Sequence, residues 1–172
     1  VYSCLLCAAD FVPESRWITA SEGNVDAENT WIAFRKDITL GSIPMKVEAS
    51  IAADSKYWLW INGEMVVFEG QLKRGPTPKD TYYDKVDITP FLKKGNNEVA
   101  VLLWYFGKSG FSHNSSGKSG LLFSAQAIGL YSSSQWMSRI QPAYGTCGDP
   151  KPNGRLSESS IRYDGNKDLG EW

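Results

Sequence analysis

The segment Tyr83–Trp104, YDKVDITPFLKKGNNEVAVLLW, decides the fold of this chain. Its first part predicts one short helical turn. Asp87 or Thr89 can cap the free N–H groups of that turn. Pro90 suits a first helical position, because its missing N–H would be unpaired there anyway. Gly95 can then adopt the left-handed conformation that ends the turn.

A buried strand follows this turn. The run Val99–Phe106, VAVLLWYF, is apolar on both faces. It is too short and too rich in β-branched and aromatic residues for a good helix. The run therefore predicts a central strand that is covered on both sides.

Short strands separated by turn signals continue in both directions from this segment. Asn62-Gly63 predicts a two-residue hairpin, because a type I′ turn needs positive φ at both positions. Alternation within 45–53 places four apolar residues on one face, which we expect to be core: Met45, Val47, Ala49 and Ile51. Further strands are expected over 1–12, 16–19, 30–40, 53–61, 64–69, 121–130 and 136–140. Segments with a strong helical period are absent, so the pattern predicts an all-β antiparallel sandwich.

The composition is ordinary for a globular protein. The chain has 172 residues, which suggests one domain, with 42% hydrophobic and 22% charged residues. A net charge of −1 gives no electrostatic case for binding nucleic acid or an anionic membrane, and no apolar stretch is long enough to span a bilayer. Cys4 and Cys7 lack the second ligand pair that a zinc ribbon needs, so we interpret them as packed or incidental thiols.

Three regions divide the chain. We expect a lead strand over 1–15, the sandwich over 16–140, and a tail or linker toward a further domain over 141–172.

The order of these motifs resembles the galactose-binding-like jelly-roll domains attached to glycoside hydrolases, in particular the N-terminal β-sandwich of bacterial α-L-rhamnosidases. The segment 83–104 carries the resemblance together with RWI at 16–18, NTWIAFRK at 29–36, IAAD at 51–54, YWLWINGE at 57–64 and GLLF at 120–123. The resemblance implies a non-catalytic accessory domain that supports the catalytic domain of the same longer chain. In that family the catalytic acids lie in a separate helical barrel, and this chain has no helical-barrel pattern.

The resemblance has further implications. The parent protein would release terminal L-rhamnose with inversion of configuration, in the periplasm or outside the cell. Some sandwich modules of the family bind L-rhamnose through a calcium ion, which takes six to eight oxygen ligands. In this sequence the candidate ligand segments are Asp149–Asn153 and Asp164–Asp168.

Catalytic groups within the chain itself are few. Glycoside hydrolysis needs two facing carboxylates ~5–9 Å apart. Asp87 is better explained as a cap, and Asp54 and Glu64 as residues that flank turns. His113 is the only histidine and lies in the Gly/Ser-rich loop 107–120, where we expect it to be solvated. We therefore predict that this chain alone is inactive.

Carbohydrate contact has two candidate surfaces. On the first, aromatic residues on one sheet face could stack on pyranose rings: Trp58, Trp60 and Trp104. On the second, polar residues of the rim loop could donate hydrogen bonds: Lys108, Ser112, His113 and Asn114. A carbohydrate-binding module predicts exposed rings, whereas a structural interaction domain without a ligand predicts rings that are buried or form a flat apolar patch. A plain solvated loop is the alternative for the second surface.

Overall fold

A computed structural model describes residues 10–70, 77–110, 113–148 and 160–170. Most of the predicted lead strand lies outside these residues, as do Cys4, Cys7, Ser112 and the calcium candidate Asp149–Asn153. Within the described ranges, no helix is long and apolar enough to cross a membrane.

The described residues form eleven strands and three short 3-10 helices. The strands are β1 (Thr30–Leu40), β2 (Glu48–Asp54), β3 (Lys56–Ile61), β4 (Glu64–Val67), β5 (Asp84–Asp87), β6 (Gly95–Tyr105), β7 (Gly120–Ala125), β8 (Leu130–Tyr131), β9 (Met137–Ile140), β10 (Tyr144–Thr146) and β11 (Ile161–Tyr163). The 3-10 helices are Thr89–Phe91, Gln126–Ile128 and Gly165–Lys167.

Two antiparallel sheets form the sandwich. One has five strands in the order β4-β3-β6-β1-β9, and the other has four in the order β5-β2-β7-β8. Strands β10 and β11 form a separate two-stranded sheet. The predicted all-β antiparallel jelly-roll sandwich is therefore confirmed.

Strand β6 is the middle strand of the larger sheet, as the segment 83–104 predicts. It pairs with β1 along its whole length, from Thr30 opposite Tyr105 to Leu40 opposite Gly95, and with β3 on its other side. Its inner face contributes Val99, Val101 and Leu103 to the main core. Because its outer face is also buried, β6 is covered on both sides.

The main core lies between the two sheets. From the larger sheet it takes Ile32, Phe34, Leu59 and Ile61, and from the smaller sheet Ala49, Ile51, Ala53, Leu121 and Phe123. These residues alternate along their strands, as expected for sandwich faces.

The turn before β6 is held by side-chain hydrogen bonds. The Asp87 carboxylate accepts from the Thr89 N–H at 3.0 Å and from the Thr89 hydroxyl at 2.6 Å. These two hydrogen bonds, the hydroxyl first, lower the pKa of Asp87 below its ordinary value. The Thr89 hydroxyl also accepts from the Val47 N–H at 2.7 Å, which ties the turn to the start of β2. Gly95 has φ +92°, so the predicted left-handed glycine is confirmed.

Two asparagines join this turn to the Asn62-Gly63 hairpin. Both hairpin residues have positive φ, 53° and 79°, as the predicted type I′ turn requires. The Asn62 amide donates to the carbonyl of Phe91 at 2.8 Å and to Asn97 Oδ1 at 3.0 Å. Its own oxygen accepts from the Glu98 N–H at 3.2 Å. The hairpin β3–β4, the turn and β6 are therefore locked together at one end of the sandwich.

Two strand predictions were wrong in part. Met45 is 99% exposed and not in the core, because β2 begins only at Glu48 and the chain before it bends at Gly41-Ser42 and again at Met45. The expected strand 121–130 is interrupted by the 3-10 helix Gln126–Ile128. Gly129, with φ +62°, ends that helix before β8.

Candidate functional site

The outer face of the five-stranded sheet carries a layer of stacked aromatic rings. Trp31 lies in the middle, with its ring centroid 4.5 Å from Trp104 and 5.4 Å from Trp58. Phe106 meets Trp104 edge-on at 4.8 Å, so the two residues share a face. We call Trp31, Trp58, Trp104 and Phe106 the outer aromatic layer.

This layer is buried, which bears on two of the candidate sugar-stacking residues. Trp58 is 6% exposed and Trp104 is 1% exposed, while Trp60 is half-buried at the edge of the layer. Tyr144 of β10 stacks on Trp31 at a centroid distance of 4.7 Å. Part of the region predicted as a tail therefore covers the sheet. Pyranose stacking on the faces of Trp58 and Trp104 would require these rings to be uncovered.

Exposed apolar side chains border the outer aromatic layer. Phe68 follows β4, is 71% exposed and contacts Trp58 edge-on at 6.4 Å. Met65 lies opposite Trp60 in the β3–β4 pair and is also exposed. Tyr163 of β11 contacts Tyr144 edge-on at 5.1 Å and is half exposed. We call Met65, Phe68 and Tyr163 the apolar border.

A buried polar network closes the other end of the sandwich, where β2 meets β3. Asp54, Ser55 and His113 are all almost fully buried. The Ser55 hydroxyl donates to Asp54 Oδ1 at 2.8 Å and accepts from the Phe106 N–H at 3.1 Å. His113 Nε2 lies 3.1 Å from the Ser55 hydroxyl oxygen and 3.4 Å from Asp54 Oδ1.

The expectation that His113 is solvated was therefore wrong. The loop returns against the sandwich, with a backbone hydrogen bond of 2.9 Å from the Gly110 N–H to the His113 carbonyl. The imidazole packs edge-on against Phe106 at 5.1 Å and finds polar partners on Ser55 and Asp54. A histidine in a Gly/Ser-rich loop gives no sequence signal of such partners, because they come from a distant strand end.

The network contains a serine, a histidine and an aspartate, as a catalytic triad does. Its hydrogen bonds, however, do not activate the serine. A hydroxyl has one proton, and Ser55 gives it to Asp54. With that proton on Asp54, the Ser55 oxygen accepts from His113 in the tautomer whose Nε2 carries the ring proton. A general base must instead accept the nucleophile's proton. The arrangement suits a structural connection between the loop and the β2–β3 corner.

Asp54 also fixes the second half of the rim loop. Its Oδ2 accepts from the Ser116 N–H at 2.7 Å and from the Ser116 hydroxyl at 2.8 Å. The Ser116 hydroxyl oxygen in turn accepts from the Lys118 N–H at 3.2 Å and lies 3.0 Å from the Lys118 carbonyl oxygen. Asp54 does flank a turn, as predicted, but it is also the buried hub of this end of the sandwich.

The other two described loop candidates, Lys108 and Asn114, have different surroundings. Lys108 Nζ is 3.5 Å from Glu28 Oε2 and is mostly covered. Gly107 beside it has φ +75°, and a side chain there would meet the Glu28 backbone at 2.7 Å. Asn114 is partly buried next to His113. The structure brings His113 to Asp54 but leaves Lys108 in an ion pair.

A cleft of about 600 Å³ opens at this same rim. Trp17, Lys79 and Lys118 line it, and none of these three was among the predicted site residues. We call this cleft the rim cleft. Its lining residues are Trp17, Ile18, Thr19, Asp54, Pro78, Lys79, Thr81, Ser116, Lys118, Ser119 and Gly120. Trp17 is 50% exposed. The sequence signal that could have indicated it is the Trp of RWIT, a segment that is bounded by Pro13-Glu14-Ser15 and by the polar stretch 21–29.

The calcium candidate Asp164–Asp168 does not fit a metal site. Asp164 accepts from the Asn166 N–H at 3.2 Å, which makes it the cap of a 3-10 helix. Asp168 accepts from the Gln141 amide at 3.3 Å and from the Gly170 N–H at 3.0 Å, as well as from the Tyr163 hydroxyl. Within the described ranges, no group of three or more His, Cys, Asp or Glu residues is placed to hold a metal ion.

Two face-to-face antiparallel sheets with a loop-lined rim define this chain as a β-sandwich of the jelly-roll, galactose-binding-like class. Solved structures of α-L-rhamnosidases contain the same fold. The GH78 family rhamnosidase of Bacillus sp. GL1 matches with a TM-score of 0.63 and 28% identity, over 76% of this chain and 14% of that chain. The resemblance stated from the motifs is thereby confirmed.

Two further rhamnosidases share the fold at lower identity. The α-L-rhamnosidase of Aspergillus terreus matches with a TM-score of 0.61 and 23% identity, over 80% of this chain and 18% of that chain. That of Dictyoglomus thermophilum matches with a TM-score of 0.60 and 18% identity, over 92% of this chain and 19% of that chain. This chain thus spans less than a fifth of the length of each structure. No family model and no curated protein matches the sequence.

Proposed function

We propose that this chain is a non-catalytic accessory domain of an α-L-rhamnosidase-like glycoside hydrolase. It supports the catalytic domain of the same longer chain and contacts glycan at its rim. The observation that carries the proposal is the similarity to α-L-rhamnosidases, which covers 76% of this chain but only 14% of the Bacillus enzyme. A chain that matches only 14% of an enzyme's length fits a supporting domain better than a complete enzyme. A periplasmic or secreted location belongs to the same proposal.

The outer face of the larger sheet is the surface that the catalytic domain would cover. The apolar border there is exposed, although it packs against an already buried aromatic layer. Contiguous apolar surface on a folded domain usually marks an interface. The buried state of Trp58 and Trp104 agrees with a structural role for this face rather than with sugar stacking.

Loss of support should be visible in a protein that carries this chain beside its catalytic domain. Phe68→Ser should lower the melting temperature or activity of that enzyme by uncoupling the two domains. In the 172-residue chain alone, the same change should leave the free energy of unfolding within about 0.5 kcal/mol, because Phe68 is exposed there. Equal effects in both proteins would remove the argument for docking through this face.

Turnover of an aryl α-L-rhamnoside tests the non-catalytic role. The 172-residue chain should show none, since the buried Asp54 has hydrogen bonds on both oxygens and Ser55 is not activated. Clear turnover that a single carboxylate substitution abolishes would overturn the proposal.

A stand-alone carbohydrate-binding module is the second candidate, and the rim cleft with its half-exposed Trp17 is the observation that favours it. An NMR titration of the chain with L-rhamnose, with and without calcium, addresses glycan contact directly. A monosaccharide of about a dozen heavy atoms gives only about 3–4 kcal/mol, or millimolar affinity. Saturable shifts confined to the rim would support glycan contact. Spectra that do not change at tens of millimolar sugar would mean that only the domain-support role remains.

A further inference from the structure

We infer that the rim cleft binds an acidic saccharide, a pyranose bearing a carboxylate such as a hexuronate. Trp17 stacks on the sugar ring, and Lys79 and Lys118 pair with the carboxylate. The inference rests on the glycan contact proposed above, but it assigns that contact to a particular cleft and to a particular ligand charge. The volume of about 600 Å³ lies within the usual range for small-molecule sites.

Trp17 is a rigid platform for stacking. The backbone on each side of it is fixed, by an Arg16 N–H bond to the Ser132 carbonyl and by two bonds between Ile18 and Leu121, all 2.9 Å long. Gly120 lies against the ring: a Cβ at that position would come within 2.9 Å of Trp17 Cε3. The indole therefore leans on a glycine backbone while half of its surface stays open to solvent. An exposed, fixed aromatic ring is what sugar stacking needs.

The charge of the cleft comes from two lysines. Lys79 and Lys118 both line it, and neither forms an ion pair with another described residue. The one carboxylate in the lining, Asp54, is buried and has hydrogen bonds on both oxygens. Two lysines without an ion pair among the described residues therefore line the same cleft, in a chain whose net charge is −1. This local excess of positive charge favours an anionic ligand.

Hydroxyl groups on the cleft wall suit the neutral part of a sugar. Thr19 Oγ1 and Ser119 Oγ are 2.6 Å apart, and either can donate to the other. One of the two protons is used in that bond, which leaves the other proton and several lone pairs for a ligand. Ser119 is itself held by a 2.7 Å bond from its N–H to Asp26.

Both lysines sit on ordered backbone. The Lys79 N–H donates to the Thr77 hydroxyl at 3.2 Å, and that hydroxyl donates to Asp80 at 2.6 Å. The Lys118 N–H donates to the Ser116 hydroxyl at 3.2 Å, and Ser116 is anchored on Asp54. The buried polar network thus positions one of the two charges in the cleft.

A titration with matched sugars tests the inference. The ¹⁵N-labelled 172-residue chain is titrated separately with sodium D-galacturonate, with D-galactose, which has a CH₂OH group in place of the carboxylate, and with sodium acetate. Galacturonate should shift the Trp17 indole N–H and the 116–120 amides saturably, with a Kd of roughly 1–10 mM. Galactose should bind at least about threefold more weakly, and added salt should weaken only the galacturonate complex.

Substitutions test the lysine charges and the Trp17 ring separately. The double change Lys79→Gln and Lys118→Gln should reduce galacturonate binding roughly three- to tenfold, to the level of galactose. Lys94→Gln is the control, because Lys94 precedes the far end of β6, about 34 Å from the rim. It should change neither titration. Trp17→Ala should abolish the binding of both sugars.

Three outcomes would overturn the inference. Equal affinity of the wild-type chain for galactose and galacturonate would show that the cleft does not prefer an acidic sugar. Equal shifts with acetate, without any response of the Trp17 indole, would indicate a simple anion site. Spectra that do not change with either sugar would show that the cleft does not bind saccharides. None of these results touches the domain-support role, which the Phe68→Ser comparison tests separately.

Discussion

Asp54 holds one end of the sandwich through both of its carboxylate oxygens. Oδ1 accepts from Ser55 and lies near the imidazole of His113, while Oδ2 accepts twice from Ser116. The donors come from the β2–β3 corner and from the rim loop, which are remote in sequence. A single buried side chain therefore fixes the loop to the sheets.

Asp54→Ala should destabilise the chain by about 2–4 kcal/mol. The change leaves the buried Ser55 hydroxyl without its acceptor and removes both bonds that hold Ser116, and an unpaired buried donor costs more than the lost bond itself. Urea unfolding of the variant measures this difference. Glu64→Ala is the matched control, since Glu64 is exposed and makes no hydrogen bond or ion pair among the described residues, and it should stay within about 0.5 kcal/mol of wild type. Similar effects of the two changes would contradict the role of Asp54 as a hub.

Single residues were predicted from sequence where their role is local. The bond from the Thr89 N–H to Asp87 and the positive φ of Asn62 and Gly95 follow from residue type and near neighbours, although the N-cap position itself is Ile88. The burial of His113 does not, because it depends on Ser55 and Asp54, more than fifty residues earlier in the chain. The same holds for the rim cleft, whose walls come from four separate segments.

Among the secondary-structure elements, the turn before β6 depends on Asn97. Its Oδ1 accepts from the Lys93 N–H at 2.8 Å and from Asn62. Its amide donates to the carbonyls of Lys93 at 2.7 Å and Gly95 at 3.0 Å. All four hydrogen bonds are made by one buried side chain, so they join the turn, the hairpin and the central strand.

We expect Asn97→Ala to lower the free energy of unfolding by about 2–3 kcal/mol, because several polar groups lose their partner together. Asn96→Ala, one position earlier, removes only an exposed bond from Thr39 at 2.9 Å and should cost less than about 1 kcal/mol. Chemical unfolding of both variants gives the comparison. A cost for Asn97→Ala no larger than that of its neighbour would show that the turn is held by backbone alone.

The small sheet of β10 and β11 is held by a hydrogen bond whose strength depends on pH. The Tyr163 hydroxyl donates to the Asp168 carboxylate, which raises the pKa of Tyr163 to about 12 and lowers that of Asp168. Because the folded pKa of Tyr163 lies above its ordinary value of 10.0, this bond stabilises the sheet below about pH 10. That stabilisation is lost as the pH rises through about 12. At the acid end, it is lost as the pH falls through the lowered pKa of Asp168.

Asp168→Asn should move the pKa of Tyr163 from about 12 back toward 10, because the charge that favours the protonated phenol is gone. A ¹³C-tyrosine NMR titration resolves this group from the other tyrosines. Asp164→Asn is the control: Asp164 caps the adjacent 3-10 helix without contacting the Tyr163 hydroxyl, so the pKa should not move. An unchanged Tyr163 titration in the Asp168 variant would rule out the bond.

At the scale of the whole molecule, the sandwich could be predicted because its strands alternate in the way that two packed faces require. Ile32 and Phe34 of β1, like Leu59 and Ile61 of β3, alternate with residues of the outer face and lie in the inner core. The outer aromatic layer is different. Sequence alternation places Trp58 and Trp104 on one face, but it cannot say whether that face is open, because the covering residue, Tyr144, comes from the region predicted as a tail.

Acrylamide quenching of tryptophan fluorescence tests how this face is covered. The measurement needs a Trp172→Phe background, since Trp172 lies outside the described residues. In that background Trp17 and Trp60 are the accessible rings, while Trp31, Trp58, Trp104 and Trp136 are buried. Replacing Trp17 by Phe should therefore remove most of the quenching, whereas Trp104→Phe should leave the quenching constant unchanged. Strong quenching that survives replacement of both accessible rings would mean that the outer layer opens in solution, which would restore Trp58 and Trp104 as candidates for sugar stacking.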